Sequence, residues 1–126
     1  MDQTAYDATR YLPLQQADLH ILLALAQGEK HGYAIMQQVA EETNGQVHLG
    51  PGTLYGAIKR LRTAGLIAER KYRPGRKTDD ARRRYYRLAS LGHRVLLAEL
   101  ERLASVVRTA VTAGLISQPL AGAEGV

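Results

Sequence analysis

The sequence predicts a mainly α-helical fold with a small β-hairpin and a long helix near its C-terminal end. Apolar residues recur at helical spacing in four segments, and the last of these is the longest. Two segments rich in tyrosine, isoleucine and long side chains flank a Pro-Gly turn, which is typical of a pair of strands. A chain of 126 residues is expected to form one domain around a modest core.

The first two predicted helices are short. Residues 17–27 form the first, and its apolar stripe consists of Leu19, Leu22, Leu23 and Ala26. Residues 31–43 form the second, and its buried side is expected to include Tyr33 or Ala34, Ile35, Met36, Val39 and Ala40. Asn-Gly-Gln at residues 44–46 ends it.

The third predicted helix begins at a Gly-Pro-Gly sequence, residues 50–52, and Gly65 ends it. Pro51 suits a first helical turn, where its missing N–H group would have no partner within the helix. One stripe faces the core: Leu54, Ala57, Ile58 and Leu61. The opposite face projects outward and carries Gly52, Tyr55, Gly56, Lys59, Arg60 and Thr63.

A hairpin is predicted from strands at residues 66–72 and 82–88, joined through a basic tip. Tyr86 and Leu88 share one face and are expected to pack inward. Because side chains alternate along a strand, the three arginines at 82–84 cannot all point the same way. At least one of them is expected to pair with Glu69 or Asp79.

The last predicted helix runs from Ser90, a candidate N-cap, to about Ala113. Its apolar residues repeat with a spacing of four and three, as Leu96, Leu100, Leu103, Val107 and Ala110. A single terminal helix cannot bury this surface alone, so it must pack on the first helix, on a second chain, or on both. We expect a dimer interface formed by Leu19, Leu22, Leu23, Leu96, Leu100, Leu103 and Val107.

The order helix, helix, helix, hairpin, helix is that of a winged helix-turn-helix. The predicted organisation is an N-terminal extension (1–16), the winged helix-turn-helix (17–88), a C-terminal dimerisation helix (89–116) and a disordered tail (117–126).

Positive charge is concentrated in one part of the chain. Residues 51–88 contain twelve Lys or Arg and three acidic residues, a balance of +9, whereas the whole chain carries +5. A basic segment of this kind indicates a polyanionic partner. A solvated basic face without a partner is the plainer alternative.

Four motifs in this order resemble the PadR-like transcriptional regulators. They are His31-Gly32-Tyr33, Gly52-Thr53-Leu54-Tyr55, the segment 61–67 that leads into the hairpin, and Arg84-Tyr85-Tyr86-Arg87-Leu88 followed by Gly92. The resemblance covers about residues 19–110. It implies a homodimer that binds double-stranded operator DNA, represses a nearby gene and is often released by a small molecule.

Ten residues are candidates for contact with DNA. They are Tyr33, Thr53, Tyr55, Gly56, Lys59 and Arg60 on the helices, and Arg73, Arg76, Lys77 and Arg83 on the hairpin. Structural explanations compete at four of them. Gly56 could permit close helix packing, Thr53 could cap the helix, and Tyr55 could pack at the rim of the core; Tyr33 could be a half-buried core residue.

Other classes of function find little support. The four histidines are far apart, which argues against a metal site, and no catalytic or phosphate-binding motif is present, so we expect neither an enzyme nor a cofactor. The lack of a long apolar run, a secretory signal and cysteine favours a cytoplasmic protein without a membrane span. An effector at the dimer interface stays open, although the lack of Trp and Phe argues against broad multidrug binding.

Two alternatives share the predicted fold. A winged helix can act as a protein-interaction module without sequence-specific DNA binding, but the basic segment argues against this. A winged helix can also bind RNA, but the deep major groove of A-form RNA does not admit a helix such as the third one.

Overall fold

The computed structural model describes residues 8–70 and 84–117. Within these ranges, four helices and three short strands follow one another as α1 (Gln16–Ala26), β1 (Lys30–His31), α2 (Gly32–Glu42), α3 (Pro51–Thr63), β2 (Ile67–Arg70), β3 (Tyr85–Leu88) and α4 (Ser90–Thr112). The predicted fold class is confirmed, since the fold is mainly helical with a small antiparallel sheet and a long C-terminal helix.

Helix α1 lies at the centre of the fold and contacts α2, α3, α4 and β3. Its buried residues are Ile21, Leu22, Ala24 and Leu25. The predicted stripe is therefore only partly correct: Leu22 is buried, Leu19 and Leu23 are half-buried, and Ala26 is exposed. A helix with neighbours on several sides is apolar on several sides, and a single stripe describes it poorly.

Helices α2 and α3 form the predicted helix-turn-helix. The Ala34 N–H donates to His31 Nδ1 over 3.2 Å, so His31 caps α2. Helix α2 buries Ile35 and Val39. Helix α3 begins with Pro51 and buries the whole predicted stripe, namely Leu54, Ala57, Ile58 and Leu61.

The sheet has the order β1-β3-β2 and is antiparallel throughout. Ile67 pairs with Leu88 and Arg70 with Tyr85, which confirms the pairing of the predicted hairpin, and Tyr86 is buried as expected. The sequence did not predict β1, because two residues are too short to give a periodic pattern. Strand β1 joins the start of α2 to the hairpin, and the rings of His31 and Tyr85 meet edge to face.

Helix α4 packs on the body of the fold through its first half, where Val95, Leu96 and Glu99 are buried. Gly92 permits this packing, because a Cβ there would lie 2.9 Å from the Leu66 carbonyl carbon. The predicted N-cap is wrong by one residue: Ala89 is the N-cap, and Ser90 Oγ instead accepts a hydrogen bond from Arg94 over 3.0 Å.

A buried carboxylate ties the residues before α1 to α4. Glu99 accepts a hydrogen bond from the Leu14 N–H over 2.9 Å and two from Arg102, over 2.6 and 3.1 Å. The bonds from Arg102, and then the one from Leu14, outweigh the effect of burial and hold the pKa of Glu99 below its ordinary value. Glu99 therefore remains ionised inside the fold at neutral pH.

Candidate nucleic-acid interface

The outward face of α3 is the centre of the candidate interface. Its four buried residues fix the rotation of the helix, so the opposite side must face solvent. All six residues predicted to project outward are exposed: Gly52, Tyr55, Gly56, Lys59, Arg60 and Thr63.

The N-terminal end of α3 is open. The N-cap is Gly50, which has no side chain to cap the helix, and Pro51 has no N–H group. The N–H groups of Gly52 and Thr53 have no partner within the helix because they belong to its first turn. Since Gly50 holds the N-cap position, the capping explanation for Thr53 is wrong. This helix end can donate hydrogen bonds to an anion such as a phosphate.

The two glycines of α3 leave its backbone accessible. A Cβ built on either Gly52 or Gly56 would meet nothing within 4 Å in the described parts of the chain. Close packing against a neighbouring helix therefore does not explain Gly56. A flat partner could approach the α3 backbone closely at both positions.

Two tyrosines border a cleft of about 600 Å³ between α3, the start of α2 and the sheet. Tyr33 is 58% exposed and Tyr55 48% exposed, so Tyr33 is not a half-buried core residue. The hydroxyl end of the Tyr55 ring lies against Gly32. Both tyrosines are exposed residues that line the cleft.

The three cations of α3 differ in their partners. Among the acidic residues that the structure describes, none forms an ion pair with Lys59. Arg60 turns back toward α1, where its Nη2 donates to Asp18 Oδ1 over 2.8 Å and to Gln15 Oε1 over 3.3 Å. Of the two predicted basic contacts on α3, Lys59 therefore faces solvent without a described acidic partner, and Arg60 is held by α1.

Glu69 on β2 lies between two arginines. Arg62 Nη1 is 2.8 Å from Glu69 Oε1, and Arg84 pairs with Oε2 of the same carboxylate. The hydrogen bond and the charge of Glu69 raise the pKa of Arg84. One carboxylate faces two half-exposed guanidinium groups, so this side of the cleft keeps a net positive charge. The pair confirms that one of the three adjacent arginines binds Glu69.

Sequence reasoning did not select Arg62 as a contact residue. It lines the cleft together with Tyr55 and Lys59. The available signal was its position seven residues after Tyr55, which places both residues on one side of the helix.

Four of the predicted contact residues belong to the hairpin. Arg73, Arg76, Lys77 and Arg83 lie outside the described residues. Arg70, at the end of β2, donates two hydrogen bonds to Glu29, over 2.7 and 2.8 Å. This pair fixes the base of the hairpin to the segment that precedes β1.

The residues expected at a dimer interface fall into three groups. Leu22 and Leu96 belong to the chain's own core, so a second chain cannot contact their side chains in this conformation. Leu19, Leu23, Leu100 and Leu103 are half-buried. Val107 is 38% exposed, and it lies on the part of α4 that extends beyond the body of the fold, next to Val106, which is 57% exposed.

Two kinds of feature are absent from the described residues. They contain no group of three or more His, Cys, Asp or Glu side chains that could hold a metal ion. None of their helices is long and apolar enough to cross a membrane.

The sequence of this chain is similar to those of known proteins. A family model described as the transcriptional regulator PadR-like family matches residues 21–98, more than half of the chain. An uncharacterized protein of Lysinibacillus sphaericus is 35% identical over 83 residues, which cover 66% of this chain and 72% of that protein.

Two solved structures are similar to this one. A PadR family transcription regulator from Clostridium difficile is 26% identical, with a TM-score of 0.67, over 78% of this chain and 97% of that chain. Bacillus subtilis PadR in complex with operator DNA is 27% identical, with a TM-score of 0.59, over 68% of this chain and 47% of that chain.

Proposed function

The chain belongs to the PadR-like family of transcriptional regulators, and we propose that it is a homodimeric repressor of the DNA that it binds. In this proposal α3 is the recognition helix and enters the major groove of a pseudo-palindromic operator. The hairpin is the wing and contacts the phosphate backbone beside it. The similarity to Bacillus subtilis PadR, whose structure contains operator DNA, supports DNA as the partner.

The exposed face of α3 is the observation that carries this proposal. The major groove is about 12 Å wide and admits a helix whose outward side is not bulky. A Cβ at Gly52 or Gly56 would meet no described atom on this side, and Lys59 is exposed there without a described acidic partner. Tyr55 can donate its hydroxyl to a phosphate or pack against a thymine methyl group.

Phosphate contacts come from the edges of this face. The open N-terminal turn of α3 supplies backbone N–H groups. Arg62 and Arg84 supply the net charge that Glu69 leaves uncompensated. Four further candidates for phosphate contacts come from the sequence of the predicted wing, namely Arg73, Arg76, Lys77 and Arg83. These contacts position the protein on the duplex, and base contacts from α3 supply the specificity.

Dimerisation is proposed through the C-terminal half of α4. Leu103, Val107 and Ala110 continue the seam past the body of the fold, beside the exposed Val106. Two chains related by a two-fold axis would present two α3 helices, which requires half-sites about one helical turn apart. A small molecule bound between the two chains at this interface would alter that separation, and we propose this as the route of release.

Fluorescence anisotropy tests the central proposal. The purified protein is titrated against the DNA upstream of its own gene and against a scrambled duplex of equal length, at several salt concentrations. We expect tighter binding to the native fragment at physiological salt. Equal and steeply salt-dependent affinity for both duplexes would contradict sequence-specific regulation at that site, and no binding to either would favour a protein-interaction module.

A further inference from the structure

We propose that Asp18 keeps Arg60 away from DNA, so that α3 contacts phosphate through Lys59 and not through Arg60. Asp18 is thereby a specificity-determining residue that makes no contact with DNA itself. The inference rests on the proposed function, and it concerns the part of the affinity that is independent of sequence.

Arg60 on α3 and Asp18 on α1 form an ion pair. Arg60 Nη2 lies 2.8 Å from Asp18 Oδ1 and 3.3 Å from Gln15 Oε1, so one guanidinium nitrogen has two acceptors. The Arg60 side chain is 52% exposed, whereas that of Asp18 is only 14% exposed. The carboxylate is therefore the more buried member of the pair, and the arginine is the more exposed one.

The position of Asp18 in the fold makes it a stable partner for Arg60. It lies in the first turn of α1, where the positive end of the helix dipole favours a carboxylate. Helix α1 is packed on several sides by the rest of the fold, which holds this turn in place. The charge of Arg60 is therefore already compensated by Asp18 before a phosphate approaches, and a phosphate must compete with this carboxylate for the guanidinium.

Arg60 lies at the edge of the exposed face of α3. It follows Lys59 directly and so lies about 100° around the helix from it, on the side next to α1. The long flexible stem of a released arginine would reach from this edge to the backbone of a bound duplex. Such a contact strengthens binding to every sequence equally, because phosphates carry no sequence information. Holding Arg60 on Asp18 therefore limits non-specific binding.

The salt dependence of binding to a scrambled duplex measures how many phosphates the protein neutralises. The slope of log affinity against log salt steepens by about 0.9 for each additional phosphate that the protein neutralises. We expect Asp18→Asn to steepen the slope by about 0.9, Arg60→Gln to leave it unchanged, and the double variant to return to the wild-type slope. Glu101→Gln, an exposed site on α4 with the same change in net charge, is the matched control and should leave the slope unchanged.

The opposite results overturn the inference. A slope that falls with Arg60→Gln alone would mean that Arg60 contacts phosphate in the wild-type protein. A slope that does not change with Asp18→Asn in a folded protein, verified by circular dichroism, would mean that the released Arg60 neutralises no further phosphate. If Asp18→Asn does not fold, Arg60→Gln alone still decides between the two cases.

The proposed function and the role of Asp18 fail in distinguishable ways. A wild-type protein that binds native and scrambled duplexes equally would contradict sequence-specific binding to an operator. The salt slopes of the variants would still test whether Asp18 holds Arg60 away from DNA. If the protein binds no duplex, elution of the same variants from heparin with rising salt provides the comparison. Later elution of Asp18→Asn, reversed by Arg60→Gln, would support the inference, and unchanged elution would overturn it.

Discussion

The hydroxyl end of the Tyr55 ring lies so close to Gly32 that a Cβ at Gly32 would clash with the hydroxyl oxygen and would be 2.8 Å from Tyr55 Cζ and 3.0 Å from Cε1. Gly32 is the first residue of α2, and Tyr55 stands on the exposed face of α3. The two helices of the helix-turn-helix are thus matched at this contact, and the smallest residue sets the position of an exposed aromatic ring.

Replacing Gly32 by alanine should weaken DNA binding more than it destabilises the fold. The half-exposed Tyr55 ring can rotate away from the new methyl group, so we expect a loss of stability below about 1 kcal/mol. The displaced ring should lower the affinity for operator DNA by roughly fivefold to tenfold, the value of about one lost hydrogen bond. Anisotropy and thermal unfolding measure the two effects.

A double-mutant cycle tests whether this loss passes through Tyr55. Gly32→Ala should add nothing to the loss caused by Tyr55→Ala, since both remove the same contact. Losses that simply add would show that Gly32 acts on DNA binding by another route.

Gly56→Ala should separate stability from function. The added methyl group meets nothing within 4 Å among the described residues, and alanine favours a helix interior, so stability should rise by roughly 0.5–1 kcal/mol. The same methyl group would stand between the α3 backbone and DNA, and we expect affinity to fall. Gly92→Ala is the contrasting change, because its methyl group meets the Leu66 backbone and should destabilise the fold by about 1–3 kcal/mol. Urea unfolding compares the two variants, and stronger DNA binding by Gly56→Ala would contradict the assignment of this face.

Glu99 should make stability depend on pH in the acidic range. Hydrogen bonds from Arg102 hold its pKa in the folded state below the unfolded value of about 4.3. Its contribution is therefore complete above the unfolded pKa and is lost as pH falls through the folded pKa. Glu99→Gln keeps an acceptor for the Leu14 N–H but removes the charge, so we expect it to cost about 1–3 kcal/mol at neutral pH.

Urea unfolding of both proteins at a series of pH values measures that difference. The gap between wild type and Glu99→Gln should narrow as pH falls below the unfolded pKa of about 4.3, because the unfolded chain then binds a proton that the folded chain does not. The exposed Glu101→Gln is the control and should follow the wild type at every pH. A gap that stays constant down to about pH 2 would contradict the assignment of the acid-sensitive group to Glu99.

Val107→Asp should produce monomers without unfolding the chain. Val107 is exposed in a single chain, so its replacement removes little from the chain's own core. A buried charge at a two-fold interface is placed opposite its own copy, which strongly opposes association. Sedimentation velocity should detect the monomer, with operator affinity falling in parallel. Ser105→Asp carries the same charge on another, exposed side of α4 and should remain dimeric; a dimeric Val107→Asp would refute the proposed seam.

The sequence predicts the outward face of α3 well, because the four apolar residues on its buried face fix the rotation of the helix. It predicts α1 poorly, since a central helix has no single apolar side. The partner of Arg60 is 42 residues away in the chain, so only the packing of α1 against α3 reveals it. The same limit hides β1, whose two residues acquire a strand conformation only by pairing with β3.

The order of strands in the sheet has a consequence for synthesis on the ribosome. Both edge strands, β1 and β2, come before the central strand β3 in the chain, and within the described sheet each pairs only with β3. A nascent chain can therefore assemble α1, α2 and α3 before any part of this sheet can form. Residues 30–31 pair with residues 85–86, which are far away in the sequence. Closing this long loop early in folding is opposed by the loss of chain entropy. Helix α3 is thus complete in the nascent chain before the strand that joins β1 to β2 emerges, and α4 follows that strand.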